Sequence, residues 1–212
     1  MAKILEKRTL TPVTKLFRVE APLVAKAAQP GQFVIVRVRE GGERIPLTIA
    51  DYDREAGELT IVVQQVGVTT NMLGSLDVGD DILDLVGPLG MAVDVPVRGH
   101  VVGVGGGFGA AALLCLMRDL SERGDRTTVI LGAREKDLLI LTDELADICD
   151  NLELCTDDGS LGFKGFVTDR LRQLIDGDGP GRPDSVIAIG PMPMMRAVTE
   201  TTRDTGIPTL VS

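Results

Sequence analysis

Residues 101–114 read Val101-Val102-Gly103-Val104-Gly105-Gly106-Gly107-Phe108-Gly109-Ala110-Ala111-Ala112-Leu113-Leu114. The stretch opens on an apolar run too short for a helix, crosses a cluster of glycines and ends in an alanine- and leucine-rich helical pattern. Strand, glycine turn and helix in that order build a site for a diphosphate. A glycine has no Cβ, so its backbone can come close to phosphate oxygens. The first turn of the helix adds N–H groups and the positive end of its dipole. Gly105-x-Gly107-x-x-Ala110 fits the G-x-G-x-x-G/A spacing. Glycine-rich turns also serve packing alone, so the rest of the chain must decide. A P-loop is disfavoured, because no Gly-Lys-Ser/Thr follows the glycines.

Downstream of that stretch, strand and helix signals alternate. Strands are expected at 100–104, 127–131, 152–155 and 185–189, helices at 109–122, 143–150, 167–175 and 193–205. That alternation predicts a parallel α/β sheet of Rossmann-like type, with ligands at the carboxyl ends of its strands. Residues 208–212 read as a strand cut off in the middle. Upstream, 4–10, 15–20, 32–38, 58–66 and 81–86 are short runs rich in Val, Ile, Leu and Thr. Pro30-Gly31, Gly41-Gly42, Gly57, Gly79 and Gly87-Pro88 punctuate them. One helical interruption falls at 70–76. Such spacing predicts a small antiparallel β-barrel or sandwich. Pro96, Arg98 and Gly99 read as the linker, which gives a barrel over 1–97 and an α/β domain over 98–212.

The 212 residues suffice for two small domains. A net charge of −9 argues against a nucleic-acid or anionic-membrane partner. The start carries Lys3, Glu6, Lys7 and Arg8 where a signal peptide needs an apolar core, and no run is long enough to span a membrane. Cys115, Cys149 and Cys155 form no C-x-x-C pair and read as buried thiols of a cytoplasmic protein. His100 is the single histidine, which argues against Ser-His-Asp and His-rich metal chemistry. No residue is assigned a catalytic role and no metal ligand is expected.

The barrel half carries its own candidate site. In Arg44-Ile45-Pro46-Leu47-Thr48-Ile49-Ala50, an extended chain points Arg44, Pro46 and Thr48 the same way. Proline removes one ladder donor and opens an edge, and arginine matches a diphosphate in fork geometry. An edge strand with an exposed arginine is the plain alternative. After the next strand, Gly67 permits a turn and Thr69 or Thr70 can cap the following helix, whose N-terminus suits an anion. Capping without a ligand is the plain alternative there.

Together these segments resemble the ferredoxin–NADP reductase superfamily. Within it they are most similar to the small flavin subunits of NADH-dependent reduced ferredoxin:NADP oxidoreductase, also described as sulfide dehydrogenase β-type subunits. The dihydroorotate dehydrogenase electron-transfer subunits are close relatives. The arginine-x-proline flavin motif matches Arg44, Pro46, Leu47, Thr48 and Ile49. The glycine-x-x-threonine segment matches Gly67, Thr69 and Thr70, and Gly-Pro-x-Gly matches Gly87-Pro88-Leu89-Gly90. The pyridine-nucleotide loop matches Gly105-Gly106-Gly107-Phe108-Gly109, and Gly-Ala-Arg matches Gly132-Ala133-Arg134, with Asp137 and Leu138 following. The run from Thr156-Asp157-Asp158-Gly159-Ser160 to Lys164-Gly165, and Gly190-Pro191-x-Pro193-Met194-Met195, complete a series that covers nearly the whole chain.

The resemblance implies a barrel that binds FAD. Arg44 would neutralise the flavin diphosphate, Thr48 would approach the isoalloxazine edge, and Thr69 and Thr70 would hold the diphosphate from the other side. It implies an α/β domain that binds NAD(H) or NADP(H) over Gly105–Gly109, with Gly190 and Pro191 near the nicotinamide. Hydride would pass between nicotinamide and flavin with no acid–base residue required. Glu135, Asp157 and Asp158 are alternative ribose acceptors, while Arg134 could attract a 2′-phosphate or be a solvated surface residue. The resemblance favours NAD(H). It also implies a larger glutamate-synthase-like flavoprotein or iron–sulfur subunit as partner, with ferredoxin reached indirectly. The family's [2Fe–2S] cluster needs four thiolates from a cysteine-rich tail. That tail is not in this sequence, so a cluster is expected only if the native chain extends past Ser212. Two alternatives stay open: a nucleotide- or redox-sensing module without electron export, and a stand-alone NAD(P)H reductase component.

Overall fold

Alternating apolar and polar residues, cut by glycine and proline turns, make the first half of the chain a single antiparallel sheet. The computed structural model describes every residue except Pro96 and Val97, and divides the chain into two units, Met1–Val93 and Asp94–Ser212. Pro96, part of the expected linker, lies outside the described residues. Arg98 and Gly99 do not hang free: Arg98 Nε lies 3.1 Å from the buried Asp125 carboxylate, and the Gly99 N–H donates to the same group.

The first unit runs β1 (Ala2–Thr11), β2 (Thr14–Glu20), α1 (Pro22–Ala27), β3 (Phe33–Arg37), β4 (Arg44–Asp53), β5 (Glu58–Gln64), α2 (Val68–Ser75), β6 (Asp81–Ile82) and β7 (Asp84–Leu89). The seven strands are ordered β6-β1-β2-β5-β4-β3-β7. Its two outermost strands, β6 and β7, are separated in sequence by Leu83 alone. The sheet must therefore curl until its edges meet, which makes it a nearly closed barrel. One strand was expected over 81–86; two form, because the chain changes edge at Leu83. Ile4, Phe17, Val34, Ile49, Leu59, Ile61 and Ile82 are fully buried and fill the interior.

The second unit runs β8 (His100–Gly106), α3 (Gly109–Glu122), β9 (Arg126–Ala133), α4 (Thr142–Ile148), β10 (Asn151–Thr156), β11 (Phe163–Lys164), α5 (Val167–Ile175), β12 (Ser185–Ile189), α6 (Met192–Thr202) and β13 (Thr209–Val211). Its six strands are parallel, in the order β11-β10-β9-β8-β12-β13. Every residue of β8 is buried, as befits a central parallel strand covered on both faces. α3 lies close on it: a Cβ on Gly103 would stand 2.8 Å from Met117 Sδ and 3.2 Å from Leu113. From β8 the chain proceeds through β9, β10 and β11 in one direction, then returns to place β12 and β13 on the other side. The order reverses between β8 and β12, so the crevice at their carboxyl ends is where ligands bind in such sheets. Among the described residues no helix is long and apolar enough to cross a membrane.

His100 opens β8 at the opposite end of the sheet from that crevice. Its ring is buried, with Nε2 2.8 Å from Thr128 Oγ1 and Nδ1 3.2 Å from the Arg182 carbonyl. A neutral ring protonated on Nδ1 satisfies both partners. Burial holds its pKa below the ordinary 6.5, against the opposing pull of the Arg182 carbonyl. As pH falls through the unfolded value, the unfolded chain takes up a proton that the folded chain refuses, so the stability present at neutral pH is lost toward acid. The urea midpoint is expected to fall between about pH 7.5 and about pH 5.5, and to fall less in His100→Gln. An identical pH dependence in the two proteins would remove His100 as its source.

Candidate functional site

A cavity of about 350 Å³ lies at the carboxyl ends of β10, β9, β8 and β12. Gly106 and Gly107 line it from the end of β8, Gly132, Ala133 and Arg134 from the end of β9, and Asp157 from the turn after β10. Leu138, Gly165, Phe166, Val167, Pro191 and Met194 complete the wall. Five residues picked from the sequence thus share one cavity: Gly106, Gly107, Arg134, Asp157 and Pro191. Gly105, Phe108, Gly109 and Gly190 stand beside it in the chain but do not line it.

The glycines of the loop divide their work. A Cβ on Gly105 would lie 2.7 Å from Leu131 and 2.9 Å from Leu113, and one on Gly106 would meet Met194 and Pro191. One on Gly109 would overlap the Ile189 carbonyl. These three glycines answer to the protein's own packing, whatever the ligand. Gly107 differs. Its φ is +52°, and a Cβ there would meet nothing within 4 Å. It lines the cavity beside the N-terminus of α3, where the helix dipole favours an anion. Among these loop glycines it is the one whose backbone conformation, and not close packing, calls for glycine.

The turns after β9 and β10 are bound to each other. The Asp157 N–H donates to the Ala133 carbonyl at 3.1 Å and the Asp158 N–H to the Arg134 carbonyl at 3.2 Å. Ser160 Oγ accepts from the Lys136 N–H at 2.9 Å. Hydrogen bonds from the Ser160 side chain and backbone hold the Asp158 carboxyl below the usual carboxylate range. Asp158 therefore serves the turn, and of the three acids weighed as ribose acceptors only Asp157 lines the cavity. Leu138 and Phe166 were given no role from the sequence, although both form its wall. An aromatic residue beside glycine in a polar stretch, in a chain with 3% aromatic content, was the available signal for Phe166.

In the barrel, β4 pairs with β3 through Arg44↔Arg37, Pro46↔Ile35 and Thr48↔Phe33. Its register with β5 begins only at Ile49↔Ile61. The segment from Arg44 to Thr48 thus has a neighbouring strand on one side and an open edge on the other, where the missing N–H of Pro46 costs no ladder bond. Arg44 and Pro46 are exposed, and Leu47 and Thr48 half-buried. Gly87 is needed for packing, since a Cβ there would stand 2.8 Å from Val34.

At the start of α2 the sequence reading needs correction. Gly67, not Thr69 or Thr70, is the N-cap, and its φ of −143° is extended backbone open to any residue. Thr70 reaches back from the first turn instead: its Oγ1 accepts from the N–H groups of Val66 at 3.1 Å and Gly67 at 2.9 Å. Thr69 Oγ1 donates to Glu43 Oε2 at 2.9 Å. A Cβ on Gly67 would find only Thr70 Oγ1, 3.9 Å away, so the helix entrance is bare for a reason other than packing. A cavity of about 190 Å³ beside it is lined by Val38, Arg39, Gly41, Gly42, Glu43, Val68, Thr69 and Met72. Of the barrel residues given a cofactor-binding role from the sequence, Thr69 alone is in that lining. Cys115 and Cys155 are buried and Cys149 half-buried; desolvation pushes the Cys149 and Cys155 thiols up to about 12, which leaves them unreactive.

Residues 1–93 match the oxidoreductase FAD-binding domain model. The chain is 46% identical over 196 residues to a dihydroorotate dehydrogenase B (NAD(+)) electron transfer subunit homolog of Thermotoga maritima, covering 92% of this chain and 68% of that protein. It is 33% identical over 215 residues to the dihydroorotate dehydrogenase B (NAD(+)) electron transfer subunit of Desulforamulus reducens, covering 100% and 80%. Among solved structures, a chain of the NADH-dependent reduced ferredoxin–NADP oxidoreductase, studied for flavin-based electron bifurcation, superimposes with a TM-score of 0.90. It is 42% identical, and the match covers 100% of this chain and 75% of that one. A barrel matching a FAD-binding family, an α/β unit with a cavity at its switch point, and relatives that span both units have one reading: the chain belongs to the dihydroorotate dehydrogenase B electron-transfer subunit family, within the ferredoxin–NADP reductase superfamily.

Proposed function

We propose that this chain is a FAD-binding electron-transfer subunit that takes hydride from NAD(H) and passes electrons to a catalytic partner subunit. The observation that carries the reading is the cavity that gathers Gly106, Gly107, Arg134, Asp157 and Pro191 at the switch point of the sheet. The flavin, when bound, supplies the exchange of a hydride for single electrons. The protein supplies position and charge. In the α/β unit, Gly107 and the start of α3 hold the dinucleotide diphosphate, Asp157 accepts from the ribose hydroxyls, and Pro191 borders the nicotinamide end. Gly106 lines the same cavity, and Gly105, Phe108, Gly109 and Gly190 stand beside its lining residues in the chain. In the barrel, Arg44 pairs with the flavin diphosphate along the open edge of β4, where Pro46 and Leu47 place Thr48 toward the isoalloxazine edge. The bare N-terminus of α2 at Gly67, with Thr69 and Thr70, holds the diphosphate from the other side, and Gly87 lets β7 close on β3.

The preference for NAD(H) is supported by the carboxylate of Asp157 in the cavity, which would repel a 2′-phosphate, and by the names of the relatives. Arg134 lines the same wall and is the residue that would blunt that preference. The partner proposed is a larger glutamate-synthase-like flavoprotein carrying the terminal chemistry, with ferredoxin served through it. Three free thiols fit a reducing cytoplasm. To test the reading, the protein is reconstituted with FAD and titrated anaerobically with NADH and with NADPH. Bleaching of the flavin band at lower NADH than NADPH is expected. A protein that takes up no FAD overturns the assignment, and equal titration by the two nucleotides overturns the NAD(H) preference.

A further inference from the structure

The hydroxyl that the barrel would offer to a diphosphate already has a partner. Thr69 Oγ1 carries one proton, and it donates that proton to Glu43 Oε2 at 2.9 Å. Thr69 is the second residue of α2, while Glu43 lies in the turn between β3 and β4, directly before Arg44. The contact thus joins residues 26 apart in the chain, and both line the cavity of about 190 Å³ beside the helix entrance. The turn that carries Glu43 is tightly built. The Gly42 N–H donates to the Arg39 carbonyl at 3.0 Å, and a Cβ on Gly42 would stand 2.8 Å from that same oxygen. α2 has no acidic residue in its own first turn, so Glu43 brings a negative charge to its positive end from outside the helix.

A carboxylate and a phosphate both only accept, so they cannot share the single proton of Thr69, and at such range their charges repel. We propose that Glu43 is a placeholder for the flavin diphosphate: it occupies the Thr69 hydroxyl while the barrel is empty, yields it when FAD enters, and thereby sets how tightly the flavin is kept. This rests on the reading of the barrel as the FAD site. The displaced carboxylate has a second partner at hand. Arg39 lines the same cavity, four residues earlier in the same turn, and makes no ion pair among the described residues. Glu43 is exposed and free to swing from the hydroxyl to the guanidinium. The exchange leaves the proton on Thr69 and breaks no covalent bond.

The test is the affinity of the flavin-free protein for FAD, read from quenching of flavin fluorescence. The wild type, Glu43→Gln, Thr69→Val and the double variant are titrated at low and at high salt. Glutamine keeps an oxygen for Thr69 but removes the charge. Glu43→Gln is expected to bind FAD about three- to tenfold more tightly at low salt, the size of a repulsion between exposed charges. Salt screens that repulsion, so the gain shrinks at high salt. It shrinks also in the Thr69→Val background, where no hydroxyl is left to compete for. Because Glu43 is exposed, the unfolding midpoint of flavin-free Glu43→Gln should match the wild type. Equal FAD affinity in Glu43→Gln overturns the placeholder. Weaker binding equally overturns it and assigns the carboxylate to the flavin as a ligand. A gain of the same size at both salt concentrations overturns it as well, since charge is then not the source. A wild type that takes up no FAD removes the barrel reading itself, and the placeholder with it.

Discussion

Gly109→Ala is expected to unfold the α/β unit at temperatures where the wild type is native, whereas Gly107→Ala, two residues earlier, leaves it folded and impairs nucleotide binding. Gly109 is the first residue of α3, and its added methyl would fall on the carbonyl of Ile189 at the end of β12, with the Gly190 amide 3.1 Å away. Neither obstacle is a side chain that can rotate aside. Relief requires α3 to lift from the sheet, and with it Ala110, Leu113, Leu114 and Met117, all buried. A cost of about 3 kcal/mol or more follows from overpacking against backbone. That lowers the melting temperature of the unit by roughly 10 °C. At Gly107 the methyl would meet nothing within 4 Å, and the penalty is the left-handed backbone alone, about 1 to 2 kcal/mol. On the proposed function the same methyl would occupy the space that phosphate oxygens take. NADH affinity is therefore expected to fall tenfold or more, by the loss of charge-assisted bonds from backbone N–H groups, each worth about 1.5 to 3 kcal/mol. Calorimetric unfolding and an NADH titration on the two variants separate the effects. If Gly107→Ala binds NADH like the wild type, that position does not face the phosphates.

The spacing Gly105-x-Gly107-x-x-Ala110 announces a turn between strand and helix, yet it cannot say which glycine serves which purpose. The deciding neighbours are remote in sequence: Leu131 from β9, and Ile189, Pro191 and Met194 from the far side of the sheet. Long periodic elements such as α3 and α5 were legible because burial imposes its pattern on them. α1 was not, because a helix of six residues is too short to display a period, and Pro22 at its start reads equally well as a turn. The break at Leu83 was hidden for another reason. Residues 81–86 keep a strand-like composition throughout, and only the closure of the barrel forces the chain to change edge there. In α2, hydroxyl residues drew the capping role by preference, but Thr70 performs it from inside the helix and leaves the cap position bare. Phe166 went unassigned because the cavity it lines is shared with Leu138 and Asp157, which two different turns carry to it.

Arg44→Ala is expected to strip flavin from the barrel without loosening the barrel itself. The side chain is 58% exposed, and the carboxylate it approaches, Asp84 Oδ2 at 3.8 Å, already accepts from Arg37 Nε at 2.6 Å. An exposed contact of that length contributes well under about 1 kcal/mol to folding. The charge is thus uncommitted to the fold, and it sits on the stretch of β4 that β5 leaves open, in line with Pro46 and Thr48. A guanidinium meets a diphosphate in a planar fork, and hydrogen bonds to a charged partner are worth about 1.5 to 3 kcal/mol, or roughly ten- to a hundredfold in affinity. Flavin absorbance per mole of protein after gel filtration should fall sharply in Arg44→Ala and only in part in Arg44→Lys, because an ammonium keeps the charge but loses the fork. The melting transition of the α/β unit and its affinity for ADP-ribose should not move, since neither depends on the barrel's anion partner. Full flavin content in Arg44→Ala would place the diphosphate elsewhere, and the bare entrance of α2 at Gly67 would then have to hold it alone.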